Sequence, residues 1–394
     1  MKKADLIIDK DELIDIASRI LSPIKPADSN TMAPKDFLHS ALESKSSMLL
    51  PKHYLIYFLL SDLLKYKDLG QGEKIAWSFP IDYEGQAFLI EYRKFGVGIF
   101  VQNINDDETT AFKIASKINR AINSVKPFFD WIAENAVKDS KLNVENYNTS
   151  LYDRFKYLHD LFTEQKAKQI ENRGKYEIVK KKMKYGEMTE YTPLSFNYAQ
   201  RSNWLAVSCI EAFFSWTEHL FIHLAIIGQG MWNGSEIYEL TGKEWKDKFT
   251  KAIPISTPKS KKYYDELIII RQQLRNFVAH GAFGKNGEAY SFHSGSGSVP
   301  ILMNRQIGKN RFSLTGGLGF KEEAVIELID QFINYLWNSS LAPAMHYTQE
   351  CSLPSILTYS KDGTYKAAMK SLAKMKKLSA QLMREIDDSA NMDW

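Results

Sequence analysis

The sequence predicts a mainly α protein, in which a C-terminal helical bundle follows an N-terminal α+β module with a small antiparallel sheet. Apolar residues recur at helical spacing over most of the chain, whereas one early stretch is rich in β-branched and aromatic residues. The composition, with 44% hydrophobic and 25% charged residues in a chain of 394, is typical of a globular protein long enough for two domains. We divide the chain into four segments: 1–146, 147–192, 193–340 and 341–394.

The first segment begins with helical patterns and then changes character. The stretch 74–104 is interrupted by Gly-containing turns, and it predicts three antiparallel strands connected in sequence. Asp106 and Asp107 can cap the helix that follows, and Pro127 is expected to bend or divide that helix. The segment contains no motif that indicates a chemical activity, so we expect it to regulate the protein or to sense a trigger.

The second segment, 147–192, is predicted to be a long helical connector with a basic surface. Between Lys166 and Lys184 the sequence has eight Lys or Arg and two Glu, a local excess of +6 in a chain whose net charge is +4. A clustered positive field can attract phosphates, although a charge run is also typical of a solvated helix face. The candidate RNA contacts in this segment are Lys180, Lys181, Lys182 and Lys184.

The third segment, 193–340, has the strongest helical pattern. It predicts helices at 199–227, 260–280 and 321–340, with a Gly/Ser-rich insertion before the last of them. The fourth segment, 341–394, is predicted to be a linker followed by a basic amphipathic helix. We expect the apolar stripe of that helix to pack on the body of the protein or on a partner subunit.

The predicted helix 199–227 is long and apolar enough to span a bilayer, but it contains Glu211 and Glu218. Each carboxylate near a bilayer centre would cost roughly 2.5–3.5 kcal/mol, so we expect a buried helix of a soluble protein and no membrane partner. Cys209 and Cys351 are the two cysteines of the chain, and neither belongs to a CxxC pair. Together with the interrupted apolar pattern of the opening residues, this cysteine usage favours the cytoplasm.

The run "LRNFVAHGAFG" contains the residues that most strongly indicate an activity. It places Arg275, Asn276 and His280 in the last turns of a predicted helix. Gly281 follows at the expected C-terminal cap. The helix dipole favours a protonated imidazole at this end, so His280 suits general acid–base catalysis. Arg275 offers a planar cation for a phosphate oxygen, and the Asn276 amide can steady the imidazole or the substrate.

These three residue types are sufficient to cleave RNA without a metal ion or a cofactor. The base takes the proton of the 2′-OH, which attacks the neighbouring phosphate, and the cation balances the charge of the pentavalent intermediate. The products are a 2′,3′-cyclic phosphate and a 5′-OH, and DNA is excluded because it lacks the attacking hydroxyl. The alternative is a helix end with a few solvated polar side chains.

The motif "RNFVAH" resembles the R-x4–6-H signature of the HEPN superfamily, including the Asn that commonly follows the Arg, and the resemblance covers roughly residues 195–340. It implies an all-α, dimeric bundle and a metal-independent ribonuclease of the kind found in toxin–antitoxin, abortive-infection and CRISPR systems. It also implies that two copies of Arg275 and His280 form one composite cleft across a two-fold axis. A regulatory partner or antitoxin is compatible with such a system.

The predicted helix 199–227 carries a polar stripe on an otherwise apolar surface. The stripe consists of Arg201, Ser208, Glu211, Ser215 and Glu218. The HEPN resemblance implies that acidic or polar residues of this helix contribute to the site, so we expect Glu211 and Glu218 to line the cleft and to orient Arg275. The alternative is that the stripe faces solvent.

The remaining histidines give weaker signals. His219 and His223 lie four residues apart, but no carboxylate or Cys at matching spacing completes a metal site, so we expect histidines of the core or the surface. His293 lies in a Gly/Ser run that lacks the Gly-Lys-Ser/Thr of a P-loop, and a plain connecting loop is the simpler interpretation.

The sequence therefore leaves two main hypotheses. The first is a cytoplasmic HEPN endoribonuclease, which acts as a toxin or as an anti-phage effector by abortive infection. The second is a non-catalytic HEPN dimer that binds nucleic acid or nucleotide as a regulatory or assembly subunit, with Arg275 and His280 as structural polar residues at an interface. A metal-dependent nuclease is disfavoured, because the sequence has no acidic cluster with suitable spacing.

Overall fold

The computed structural model describes residues 8–183, 186–280, 291–300, 302–303, 312–313 and 322–392. Over these ranges the chain is mainly helical with small antiparallel sheets, as predicted. It divides into two compact units. Unit 1 comprises Met1–Asp139 and Ala380–Trp394, and unit 2 comprises Ser140–Ser379.

Unit 1 is built on an antiparallel sheet. Its strands are β1 (Ile24–Pro26), β2 (Leu42–Glu43), β3 (Ile75–Tyr83), β4 (Gln86–Arg93) and β5 (Gly96–Val101). They lie in the order β1-β3-β4-β5-β2, so the predicted three-stranded meander forms the centre of the sheet. The edge strand β1 lies in the predicted break at 22–34 of the helical pattern, whereas β2 lies in a region whose pattern predicts a helix. Pairing with distant residues outweighs the local pattern in such short strands.

Helices pack on both faces of this sheet. Those of unit 1 are α1 (Lys10–Leu21), α2 (Phe37–Ser40), α3 (His53–Tyr57), α4 (Ile104–Ser124) and α5 (Lys126–Lys138). On one face α1, α3 and α4 enclose the main core, in which Phe79, Ile90 and Ile118 have no exposed surface. On the other face Phe37 of α2 packs against Leu89 and its neighbours.

The start of α4 differs in detail from the sequence prediction. Asn103 is the N-cap, because its side chain accepts a hydrogen bond from the backbone N–H of Asn105 (3.0 Å). The predicted caps Asp106 and Asp107 lie inside the first turn, where Asp107 accepts a hydrogen bond from the Asn103 N–H (2.9 Å). Pro127 lies in the first turn of α5 and separates α5 from α4, as predicted.

Unit 2 is mainly helical. Its helices are α6 (Asn148–Glu171), α7 (Leu194–Ile227), α8 (Gly234–Thr241), α9 (Trp245–Ala252), α10 (Pro258–His280), α11 (Glu322–Trp337), α12 (Ala342–Met345), α13 (Leu357–Lys361), α14 (Thr364–Ala368) and the first part of α15 (Leu372–Asn391), which ends in unit 1. Its strands are β6 (Asn143–Val144), β7 (Tyr176–Met183), β8 (Gly186–Pro193), β9 (Ser291–Ser294), β10 (Gly297–Pro300), β11 (Leu302–Met303), β12 (Phe312–Ser313) and β13 (Ser355–Ile356). The strands form four antiparallel pairs, β6 with β13 and each of the others with its neighbour in sequence.

The prediction of a helix throughout 147–192 is wrong after Glu171. Helix α6 ends there, Gly174 adopts a left-handed conformation (φ +80°), and the chain continues as the β7–β8 hairpin. Both strands are rich in Tyr, Ile, Val and Thr, which favour an extended backbone, and Gly186 (φ +144°) begins β8 in a conformation that other residues rarely adopt. The basic connector is therefore a helix followed by a hairpin.

Helix α7 is central to unit 2. Among the described residues it is the one helix long and apolar enough to span a bilayer, and 61% of its most apolar window is buried, as in the core helix of a soluble protein. Helices α9 and α11 pack against it through a cluster of aromatic rings whose neighbouring centres lie 5.3–6.5 Å apart. The cluster consists of Phe213, Phe221, Trp245, Phe249 and Phe332.

The predicted linker after residue 340 is folded. It forms α12, a π-helical turn at His346–Glu350, β13, α13 and α14. The buried hydroxyls of Tyr365 and Tyr347 are hydrogen-bonded at 3.0 Å, which ties these short elements together. Helix α15 is amphipathic as predicted, with Met375 and Leu382 buried.

Candidate functional site

The motif residues lie at the end of α10. Arg275 and Asn276 lie one to two turns before its last residue, His280. The side chains of these three residues, and Gly281, lie outside the described residues. The positions of these residues along α10 are therefore known from the helix backbone. The chemistry around them is inferred from the described side chains nearby.

A cluster of three charged residues lies one turn before the motif. Glu218 of α7 accepts a hydrogen bond at Oε1 from Nζ of Lys248 on α9 (2.7 Å) and at Oε2 from the guanidinium of Arg271 on α10 (3.0 Å). The Lys248 side chain is 6% exposed, whereas that of Arg271 is 38% exposed. One carboxylate thus binds two cations, and the three side chains together carry a net charge of +1.

The Arg271 side chain also contacts an aromatic ring. Its guanidinium carbon lies 5.3 Å from the ring centre of Phe214, a distance suited to a cation–π interaction. Because Phe214 and Glu218 are four residues apart on α7, they contact Arg271 from one face of that helix. These contacts hold the guanidinium in a fixed place while part of it stays open to solvent.

The aromatic contacts of α10 define its direction relative to α7. Towards its start, Tyr264 contacts Phe249, which in turn contacts Phe221 of α7, each with 5.3 Å between ring centres. Two turns later Arg271 contacts Phe214, which precedes Phe221 in α7. Residue numbers therefore rise along α10 as they fall along α7, and the two helices are antiparallel.

This direction predicts which part of α7 faces the motif. Arg275 follows Arg271 by four residues, or about 6 Å along α10, and Glu211 precedes Glu218 by seven residues, or about 10 Å along α7. The turn that carries Arg275 therefore lies between the levels of Glu218 and Glu211. Glu211 is exposed, so its carboxylate is open to a partner at that level.

The sequence predicts that Glu218 orients Arg275. Among the described residues Glu218 binds Arg271 and Lys248, and the side chain of Arg275 lies outside them. The sequence could have indicated Arg271 as a neighbour of the motif, because it lies four residues before Arg275 and therefore on the same face of α10. Nothing in the local pattern distinguished Lys248 from the other lysines of α9. Its burial is decided by the packing of α9 on α7.

The lysines proposed to contact RNA are distributed over both faces of a hairpin. Lys180 and Lys182 point to one face of β7 and Lys181 to the other, while Lys184 lies outside the described residues. Lys181 forms an ion pair with Glu190 of β8 (2.7 Å), and a second glutamate lies opposite Lys182. The two strands have three lysines and three glutamates, so β8 balances the positive charge of β7.

His219 and His223 belong to the interior of unit 2. Their Nε2 atoms are 3.1 Å apart, His223 Nδ1 lies 2.7 Å from Ser355 Oγ, and His219 Nε2 accepts the backbone N–H of Tyr147 (2.9 Å). Burial lowers the pKa of both imidazoles, that of His223 to about 3, so both are neutral at pH 7. Among the described residues no group of three or more His, Cys, Asp or Glu is placed to hold a metal ion.

His293 lies on a short hairpin. It is exposed on β9 and pairs with Ser298 of β10, whereas the sequence predicts a plain loop there. The hairpin strands and their turn contain no Lys or Arg. This segment therefore adds no side-chain cation to the candidate site.

Comparison of the chain with family models, with curated proteins and with solved structures gives no match. The HEPN assignment accordingly depends on the motif "RNFVAH" and on the helices around it. The described residues add to it a charged junction of three helices one turn from the motif.

Proposed function

We propose that this protein is a cytoplasmic, metal-independent HEPN-type endoribonuclease, which acts as a toxin or as an anti-phage effector by abortive infection. One observation carries the proposal: "RNFVAH" occupies the last turns of α10, directly after the Arg271–Glu218–Lys248 cluster that fixes this helix against α7 and α9. A pair of long helices, α7 and α10, with the motif at the end of the second and α11 after it, supports the proposal.

In the proposed reaction His280 takes the proton of a ribose 2′-OH as that oxygen attacks the adjacent phosphorus. The O2′–P bond forms as the P–O5′ bond breaks, and the 5′ oxygen leaves as a hydroxyl after taking up a proton. Arg275 balances the negative charge that develops on the phosphoryl oxygens, and the Asn276 amide holds the imidazole or the substrate. The products are a 2′,3′-cyclic phosphate and a 5′-OH.

The charge cluster supports this chemistry by fixing the helix end. The buried Lys248 and the partly buried Glu218 connect α9 to α7, and Arg271 connects α10 to the same carboxylate. A catalytic group that is held in place loses little freedom when substrate binds. The partly exposed Arg271 also adds positive charge one turn from the motif, which favours the approach of a phosphodiester.

Two protomers are proposed to share one cleft, lined by Arg275 and His280 of both. The imidazole of one protomer then acts as the base, and that of the other protonates the leaving 5′ oxygen. The hairpin lysines Lys180, Lys181, Lys182 and Lys184 are proposed to contact the flanking RNA. Unit 1 is proposed to sense a trigger, and a regulatory partner or antitoxin to restrain the activity.

The experiment is cleavage of a labelled RNA oligonucleotide by the purified full chain in the presence of EDTA. We expect 2′,3′-cyclic phosphate ends and no cleavage of the same sequence as DNA. Arg275→Ala and His280→Ala should each lower the rate at least ~10²-fold, as expected for loss of a catalytic acid–base or charge-balancing group. Arg384→Ala and His39→Ala change exposed residues outside the site and serve as matched controls at the wild-type rate.

Three results would contradict the proposal. RNA binding without cleavage, unaffected by His280→Ala, would support the non-catalytic dimer instead. Cleavage that stops in EDTA and returns with added Mg²⁺ would exclude the metal-independent mechanism. Loss of activity in the control variants as large as in Arg275→Ala would remove the assignment of these residues.

A further inference from the structure

A cysteine, a histidine and a glutamate line up on the π-helical turn after α12. His346 Nε2 lies 3.4 Å from Cys351 Sγ, and His346 Nδ1 forms a short hydrogen bond with Glu350 Oε2. The thiol therefore contacts one nitrogen of the imidazole while the carboxylate holds the other. This is the arrangement of a cysteine nucleophile whose base is oriented by a third group.

The π-helical turn is the reason for this alignment. In an α-helix, two residues five apart differ by about 140° around the axis, whereas the wider turn of a π-helix, closed by i→i+5 hydrogen bonds, brings them to the same side. The backbone N–H of Cys351 donates to the carbonyl of His346 (3.1 Å) and closes this wider turn. The next residue, Ser352, has a left-handed backbone (φ +52°), which is uncommon outside glycine. Irregular backbone of this kind is concentrated at functional sites.

The thiol is partly open to solvent and lies next to a base that is held in place. Cys351 is half-buried, and the His346 side chain is 11% exposed while that of Glu350 is 55% exposed. Burial, together with the charge of Glu350, raises the pKa of the thiol, and Ser379 and Lys376 oppose this effect. The buried hydroxyl of Ser379 has no hydrogen-bond partner among the described residues. It is therefore available to donate to the sulfur.

We propose that Cys351 is a nucleophilic thiol and a site of covalent modification by soft electrophiles, with His346 as its base and Glu350 as a positioning residue. In the reaction Sγ forms a bond to the electrophilic atom, the leaving group departs with its electron pair, and the thiol proton moves to Nε2 of His346. Because burial disfavours the free thiolate, reaction at neutral pH depends on that proton transfer. The proposal involves none of the residues of α10.

The experiment is alkylation of the native full chain by iodoacetamide, in which an S–C bond forms, the C–I bond breaks and iodide leaves. Mass spectrometry of peptides follows each cysteine separately. Cys209 is a control within the same chain, since it is fully buried and its burial raises the pKa of that thiol to about 12. We expect Cys351 to react at least about tenfold faster than Cys209 in the native chain, and the two to react alike in urea.

Two variants test the base and its positioning. His346→Asn should slow the alkylation of Cys351 at pH 7 at least about tenfold, and its rate should rise only where the thiol itself ionises. Glu350→Gln changes an exposed residue that tolerates substitution. It should slow the alkylation of Cys351 several-fold and shift the pH profile of the rate to higher pH. His39→Asn is the matched control.

The proposal is overturned if Cys351 reacts no faster than Cys209 in the native chain. It is also overturned if Glu350→Gln folds and keeps both the alkylation rate and the pH profile of the wild type. This second test remains valid even if His346→Asn does not fold. Neither result depends on whether the chain cleaves RNA.

Discussion

His223 links the stability of unit 2 to pH. Burial lowers its pKa to about 3 in the folded chain, compared with 6.5 for an unperturbed histidine. Below pH 6.5 the unfolded chain therefore binds one more proton, so the stability that depends on neutral His223 is present above this pH and is lost as the pH falls. We expect the free energy of unfolding to decrease by ~1.4 kcal/mol per pH unit between about pH 6 and pH 4, measured by urea unfolding.

His223→Gln should reduce this slope, and the remainder is assigned to His219, whose pKa is also lowered by burial. An unchanged slope in the variant would disprove the assignment. His159 is a useful comparison because its shift has the opposite sign. The carboxylate of Asp330 accepts a hydrogen bond from the His159 imidazole and raises its pKa, so the contribution of His159 is present below pH 6.5 and is lost as the pH rises through the folded pKa. His159→Gln should therefore alter the pH dependence above 6.5 and leave the acid limb intact.

Glu218 compensates the charge of the buried Lys248. Glu218→Gln leaves that ammonium without a carboxylate, and we expect a loss of ~2–4 kcal/mol in the free energy of unfolding, less than for a fully buried pair because Glu218 is 33% exposed. The double variant Glu218→Gln/Lys248→Met should recover most of this loss. Glu211→Gln, at an exposed position of the same helix, should change stability by less than ~0.5 kcal/mol. Urea unfolding measures all three, and a double variant as unstable as Glu218→Gln would count against the ion pair.

At the scale of elements, α7, α10 and α11 could be predicted to within a few residues because a long periodic apolar pattern determines a helix locally. The β7–β8 hairpin could not be predicted, since Lys and Glu also suit a helix and strand pairing is settled only when the two strands meet. The candidate site shows the same limit. The sequence places Arg275 on α10, but the bond between Arg271 and Glu218 depends on the direction and register of two helices.

The lysines of the β7–β8 hairpin differ in their partners. Lys181 is paired with Glu190, whereas Lys180 and Lys182 share the opposite face. We expect Lys180→Gln/Lys182→Gln to weaken RNA binding and to reduce the slope of log Kd against log salt by about 1.4, because each phosphate contact to a single strand contributes about 0.7. Fluorescence anisotropy at several KCl concentrations measures the slope. If Lys181→Gln alone reduced the slope by as much as each of the other two lysines does, the ion pair of Lys181 would have no influence on RNA binding.

At the scale of the whole molecule, the C-terminal helix returns the chain to unit 1. Leu382 and Met392 are buried, and Asn391 accepts a hydrogen bond from Lys74 Nζ at its carbonyl (3.2 Å). We expect truncation after Ser379 to destabilise unit 1 by roughly 1.5–3 kcal/mol for each buried apolar side chain removed. Hydrogen exchange should then be faster in α4 and in the sheet of unit 1, with α7 unchanged. Equal protection in the truncated and full chains would contradict this role.

The proposed shared cleft makes activity depend on association. We expect light scattering to give twice the mass of one chain, and the specific rate of RNA cleavage to fall on dilution below the dissociation constant of the dimer. A monomer that cleaves RNA and still requires Arg275 and His280 would exclude the shared cleft but not the chemistry.

The β7–β8 hairpin has a further consequence for work with this protein in solution. In the part of the chain that the structure describes, no third strand pairs with either edge of this sheet, and Tyr176, Ile178 and Tyr191 are 56%, 57% and 62% exposed. Open strand edges with apolar side chains promote sheet-to-sheet aggregation between molecules, and charged residues on the strands oppose it. The lysines proposed to hold RNA thus also act as solubility determinants. Neutralising them risks forming oligomers, so each variant needs to be monodisperse before its weaker RNA binding is interpreted.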